Sequence, residues 1–373
     1  MVLFSGRKVF HLILYSPNRC PFRRFLTLCY DATLLRVLNS ALCIFALFCI
    51  CVACYRRPVA DEFDGLIYEA IVLGKTQPIE VVYNTVKHEN QRAEASTILS
   101  SPQLLRETEP LYKIRPLYIQ VLSWLSYVMP LRRAIDFVSA ASFFGIGIVA
   151  MLWTGRPLFT VFLMAAYPLL VLARIGTPDA LAALLVIAGL WLVQETRLQA
   201  AGLACLFVSL TARTDNLLLL LAILGWLVWQ KRLQYPLAAA FAVLAISIVK
   251  AINYWAGNYG WIVLFRYSFV TNQSPAQISH TLTLREYFSA LTYGTMGIAT
   301  HLALWILLGI LAWAQSRNSL FIPIAAAVIV HFLMFPSTED RYFVWAYIVV
   351  GILMIRSFRN FVSAPAQRPG WAS

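Results

Sequence analysis

The chain is expected to fold as an all-helical, polytopic integral membrane protein with about ten transmembrane helices. Three observations lead there. Its 373 residues are 60% hydrophobic and 13% charged, with a mean hydropathy of +0.70, which is more apolar surface than a soluble domain of this size buries. The hydrophobic residues form repeated runs approaching the roughly 20 residues a bilayer requires. No alternating pattern of about ten residues recurs, as an outer-membrane barrel would need.

The net charge of +13 does not point to nucleic acid. The basic residues sit in short segments between apolar runs and in the two tails, a distribution that sets membrane orientation and meets anionic lipid. Of the seven cysteines, Cys43, Cys49, Cys51, Cys54 and Cys205 fall inside apolar runs. Cys20 and Cys29 lie in the basic N-terminal segment. No paired CxxC pattern is present, so these read as small buried thiols.

Taken in order, residues 1–36 form a basic segment with Arg7, Lys8, Arg19, Arg23, Arg24 and Arg36, which places the N-terminus in the cytoplasm. The first span is Val37 to Tyr55. It delivers a loop, 56–133, to the outer face, with short helices expected over Asp64 to Gly74 and Gln91 to Leu99. Pro116 to Pro130, about fifteen residues with a proline at each end, two tyrosines and a tryptophan, is short for a span. Placing it in the interface puts Arg156, Arg197, Lys231, Arg232, Arg317, Arg356 and Arg359 on the inner side, as the positive-inside rule prefers, while leaving Arg132 and Arg133 outside. The remaining spans are Ala134 to Trp153, Leu158 to Leu172, Ala180 to Val193, Leu198 to Ala212, Asn216 to Gln230, Tyr235 to Trp255, Met296 to Trp313, Leu320 to Phe335 and Tyr342 to Ile355. A second external loop covers 256–295, and the tail 356–373 ends inside.

The candidate site starts at Asp61, Glu62 and Asp64, three carboxylates directly after the first span. Charge close to hydrocarbon is poorly hydrated and needs cations, a metal or water. Under this topology Arg174, Asp179, Arg213, Asp215, Arg266, Arg341 and Tyr342 emerge on the same side. His331 lies two to three turns before Arg341 and approaches the same face. Carboxylates can accept a hydroxyl proton, and arginines fork onto phosphate oxygens. A plainer account stands beside this one: Asp179 and Asp215 each precede an apolar run, where an acidic residue caps a helix, and Arg174 and Arg213 can snorkel to the interface.

Several of these elements resemble the GT-C superfamily of polytopic glycosyltransferases, especially the branch of protein O-mannosyltransferases and the lipid A aminoarabinose transferase. The matching elements are Asp61-Glu62 soon after the first helix, the interfacial segment Pro116 to Trp124, and Tyr167-Pro168 running into Arg174 to Asp179. The match covers roughly the first 230 residues. Arg341-Tyr342 matches more loosely.

The resemblance implies an inverting glycosyltransferase that takes a sugar from a polyprenyl-phosphate donor, with a lipid, glycan or protein acceptor. It would act at the outer face of a bacterial inner membrane or at a lumenal face. In that family pattern Asp61 is the general base, Glu62 its neighbour and Asp179 the second acidic member. The family admits a divalent metal, but no ligand set stands out, so no cofactor is assigned. A lipid-linked polysaccharide polymerase or ligase would use the same donors. A transporter or flippase would need charges at mid-membrane depth, whereas here they gather at helix ends.

Overall fold

A computed structural model of the chain describes residues 21–58, 63–89, 98–271, 273–337 and 339–363. Among these residues every regular element is a helix. The apolar run from Val37 to Tyr55 is the C-terminal part of a longer helix, α1 (Pro21–Arg56), so residues 21–36 continue the helix rather than forming a separate extension. Three helical stretches are long and apolar enough to cross a membrane: Leu34–Arg56 within α1, α6 (Leu131–Thr154) and α12 (Tyr235–Ala256), with 23, 24 and 22 residues. At about 1.5 Å per residue these reach roughly 33–36 Å, against a hydrocarbon core of about 30 Å.

The run expected as one span over Leu158 to Leu172 is two helices, α7 (Pro157–Met164) and α8 (Tyr167–Arg174), bent by 71°. Pro168 explains the break. It has no N–H for the carbonyl of Met164, and its ring would collide with that oxygen. The chain therefore extends through Ala166 and restarts.

Short apolar helices fill the rest: α9 (Asp179–Glu195), α10 (Gln199–Ala212), α11 (Asn216–Trp229), α15 (Phe321–Met334) and α16 (Val344–Ser363). α14 (Leu284–Ser316) begins well before the expected Met296. A capping box starts it: Leu284 follows Thr283, whose hydroxyl accepts from Glu286 N at 3.2 Å while Thr283 N donates to Glu286 Oε2 at 2.9 Å. This S/T-x-x-E signature sits in a polar stretch that hydropathy alone reads as loop.

Over one end of these helices lies a cap of α2 (Phe63–Leu73), α3 (Ile79–Glu89), α4 (Pro102–Lys113) and α5 (Pro116–Leu125), with α13 (Trp261–Phe269) beside it. α2 matches the helix expected over Asp64 to Gly74, whereas most of that expected over Gln91 to Leu99 lies outside the described residues. α5 has 10 residues, about 15 Å and half a bilayer, and ends five residues before the expected Pro130.

Two cores result. Leu66, Ile67, Val82, Leu105, Leu122 and Ile135 hold the cap together. Leu47, Phe143, Ile187, Leu206, Ile223 and Ile348 lie in the core of the long-helix layer. α9 and α10 approach closely where Gly189 meets Gly202: a Cβ on Gly202 would come within 2.7 Å of the Gly189 carbonyl oxygen. The flanks of this layer stay apolar. Phe45, Val243 and Ile329 are 64%, 64% and 58% exposed, a surface suited to lipid rather than water.

Side-chain ties sort the helix termini into two ends. At one end Arg174 Nε donates to Arg57 O at 2.7 Å, Trp261 Nε1 to Met334 O at 3.0 Å and Tyr287 OH to Leu333 O at 2.7 Å. At the other, Arg356 pairs with Glu195, Arg232 bonds Val193 O, and Trp226 Nε1 donates to Ser319 Oγ at 3.1 Å. The cap sits at the first end. Arg156, Arg197, Lys231, Arg232, Arg317 and Arg356 belong to the second.

Candidate functional site: an arginine and carboxylate cavity beneath the cap

A cavity of about 530 Å³ lies at the capped end, walled by α2, α4, the α10–α11 turn, α13, α15 and the turn before α16. Its lining includes Asp64, Arg213, Asp215, His331, Arg341 and Tyr342. Residues from positions as far apart as 64 and 342 thus face one volume. Its other wall is apolar and aromatic, with Leu217, Leu264, Trp261 and Phe269.

On one side, α10 ends at Ala212 and the chain extends at Arg213 before α11 begins. The Arg213 side chain, 7% exposed, bonds Asp179 through Nη1 and Asp215 through Nη2, with Nε to Asp215 Oδ1 at 3.0 Å. Asp179 also accepts from Thr177 Oγ1 at 2.6 Å. Both aspartates stand at helix starts where a cap is expected, yet neither makes a side-chain cap hydrogen bond. Their oxygens turn to Arg213, because a buried guanidinium needs charged partners more than a helix end needs one more acceptor. Asp179 thereby lies behind Arg213 rather than in the cavity lining. Burial pushes the Asp215 carboxyl up, and Arg213 more than reverses this, holding it well below the carboxylate range. His331 Nε2 lies 3.5 Å from Asp215 Oδ2.

On the opposite side, Asp64 opens α2. Its Oδ1 accepts from Tyr112 OH at 2.8 Å and its Oδ2 from Arg341 Nη1 at 2.5 Å. Burial raises its pKa, but Arg341, Arg115 and the Tyr112 hydroxyl together hold it below the ordinary value. Arg341 also pairs with Glu339. Tyr342 joins the two sides: its ring centroid is 4.8 Å from the Arg213 guanidinium and 5.3 Å from that of Arg341, both within cation–π range.

Arg115 lines the same cavity. It donates to Tyr68 OH at 2.5 Å and lies 5.8 Å and 5.5 Å from the ring centroids of Tyr68 and Tyr112. Burial raises both phenols, and Asp64 raises them further, so both stay protonated, Tyr112 donating to Asp64 and Tyr68 accepting from Arg115. Tyr267, another lining residue, is pushed up to about 12, chiefly by burial.

Arg115, Tyr68 and Tyr112 escape sequence reasoning, whereas Glu339 lies in the Glu339 to Tyr342 segment expected on this side and Tyr267 in the second external loop. Arg115 reads only as the end of a loop before Pro116, and Tyr68 lies 47 residues away. The hint available in sequence is that an arginine follows a tyrosine-containing helix at the membrane surface, and that pattern is common.

Besides Asp179, two expected members do not join the cavity lining. Arg174 instead bonds the Arg57 carbonyl. Arg266 is held by Glu286 at 2.9 Å and by Thr281 O at 2.6 Å, since the capping box of α14 brings that carboxylate beside it. Asp61 and Glu62 lie outside the described residues. Among the described residues, no three His, Cys, Asp or Glu side chains gather as a metal site. No protein-family model, curated protein or solved structure matches the chain. Fold and site therefore define a class only: an all-helical protein with membrane-length helices and an arginine- and carboxylate-lined cavity at one end.

Proposed function

We propose that the chain is an integral membrane glycosyltransferase that moves a sugar from a polyprenyl-phosphate donor to an acceptor hydroxyl at the outer face of a bacterial inner membrane. The observation that carries this reading is the cavity itself, in which Arg115, Arg213 and Arg341 face Asp64, Asp215 and Glu339 beside an aromatic wall. Phosphate and sugar hydroxyls call for this mixture of groups. The three long helices, the α7–α8 pair taken as one pass, and α9, α10, α11, α14, α15 and α16 make about ten passes. Both termini are then cytoplasmic, because the basic end faces inward and the cap faces outward.

In the reaction, the acceptor oxygen gives its proton to a carboxylate and bonds the anomeric carbon. The bond from that carbon to the phosphate oxygen breaks on the opposite face, and polyprenyl phosphate leaves with the electron pair. Asp61 is the proposed base, from the family resemblance. Asp64 and Asp215 are poor bases because arginines hold them ionised. They suit steadying positive charge on the sugar ring and keeping the arginines in place. Arg115 and Arg341 suit the leaving phosphate, and the apolar wall suits the first isoprene units.

The test is sugar transfer by purified protein in lipid vesicles. Asp61→Asn should leave the protein folded and inserted but reduce transfer by about 10²-fold or more, and a fully active Asp61→Asn protein would sink the assignment of the base. Labelling of single cysteines checks orientation: position 132 should react from outside and position 232 only after permeabilisation.

A further inference from the structure

A second cavity, about 860 Å³, lies on the flank of the cap between the α2–α3 turn, α4, α5 and the end of α12. It shares no lining residue with the first. Its charge balance is one-sided. Lys75, Arg106 and Lys113 face it against one carboxylate, Glu109, and that carboxylate is occupied by Lys113 at 2.6 Å. Lys75 and Arg106 are exposed and have no acidic partner among the described residues. The opposite wall is apolar, formed by Ile79, Ile119 and Trp255 among others.

The depth of this groove follows from α12. That helix has 22 residues, about the length that crosses hydrocarbon, and Tyr254 and Trp255 at its end are 91% and 75% exposed. Exposed Tyr and Trp at the end of a membrane-length helix mark the headgroup level. The cations of α4 and the α2–α3 turn therefore stand where lipid phosphates lie, above an apolar wall that descends toward the acyl chains.

We propose that this groove binds an anionic phospholipid, with Lys75 and Arg106 on its phosphate and Trp255 against the glycerol and upper chain. A lipid here would bridge α12 to the cap, steadying the roof of the first cavity. The proposal rests on the membrane placement of α12 and not on sugar transfer.

Native mass spectrometry of the full-length protein in detergent, incubated with equal phosphatidylglycerol and phosphatidylcholine, tests it. Wild type should retain phosphatidylglycerol over phosphatidylcholine by roughly thirtyfold, as two interfacial cations at about 1 kcal/mol each would give. Lys75→Gln with Arg106→Gln should bring the ratio near one, and Lys75→Arg with Arg106→Lys should restore it. No preference in wild type, or a preference that survives the double Gln change, overturns the proposal. Displacement of the lipid by millimolar glycerol phosphate or inorganic phosphate overturns the lipid assignment in favour of a soluble anion. Release of the protein from vesicles by alkaline carbonate would instead overturn the membrane placement.

Discussion

Arg213 and Arg115 border the same cavity but are held in opposite ways. Arg213 is bonded by two carboxylates and is 7% exposed, with Asp179 equally buried behind it. Arg115 is held by a phenol and two aromatic faces, with no carboxylate bonded to it among the described residues. A guanidinium saturated by two anions has little left for a ligand, whereas one held by neutral groups keeps its charge available. The first arrangement suits a structural pin that fixes the α10–α11 turn to the start of α9, the second an anion receptor. Arg341 stands between, shared by Asp64 and Glu339.

The largest effect that would break this comparison is on Arg213. Arg213→Ala strands the buried Asp179 and the half-buried Asp215 and should lower stability by about 3–5 kcal/mol, seen as an earlier thermal unfolding of the detergent-solubilised protein. A variant with unchanged melting would show that Arg213 is free for ligand after all. Asp64→Asn removes one charge from a pair in which Arg341 retains Glu339, so a loss of about 1.5–3 kcal/mol is expected from the same measurement.

Acid should act in a definite direction. Asp64 and Asp215 both have folded pKa values held below the ordinary 3.8. Their contribution is therefore complete above that value and is lost as pH falls through the lower folded values. The melting temperature should vary little on their account between about pH 7 and 5 and fall below about pH 4. In Asp64→Asn the acid loss should be smaller, and an unchanged acid limb would remove Asp64 from this account.

Arg115→Lys gives the smallest effect on stability and the sharpest on ligand. It keeps the charge but loses the planar fork and the stacking on Tyr68 and Tyr112. Transfer assays should show KM for the lipid donor raised roughly tenfold with kcat little changed. A fall in kcat alone would move Arg115 from donor binding to the chemical step.

Helical class, membrane-length helices and most helix limits were legible in the residues, because hydropathy and proline act over a few neighbours. The α2 limits and the start of α5 came close for that reason, although α5 ends at Leu125 rather than Pro130. The 71° break at Pro168 and the early start of α14 at Thr283 were also written locally, in a proline rule and a capping box, but a hydropathy reading passes over both.

The sequence by itself determined that Asp64, Asp215 and Arg341 lie at helix ends on one side of the chain's alternating pattern. Only the tertiary structure decided their partners. It put Asp179 behind Arg213, took Arg174 and Arg266 to other contacts, and brought Arg115, Tyr68 and Tyr112 around Asp64. The physical reason is range: hydropathy, capping and helix breaking act within a turn or two, whereas Asp64 and Arg341 are 277 residues apart and meet only once two separate cores have packed.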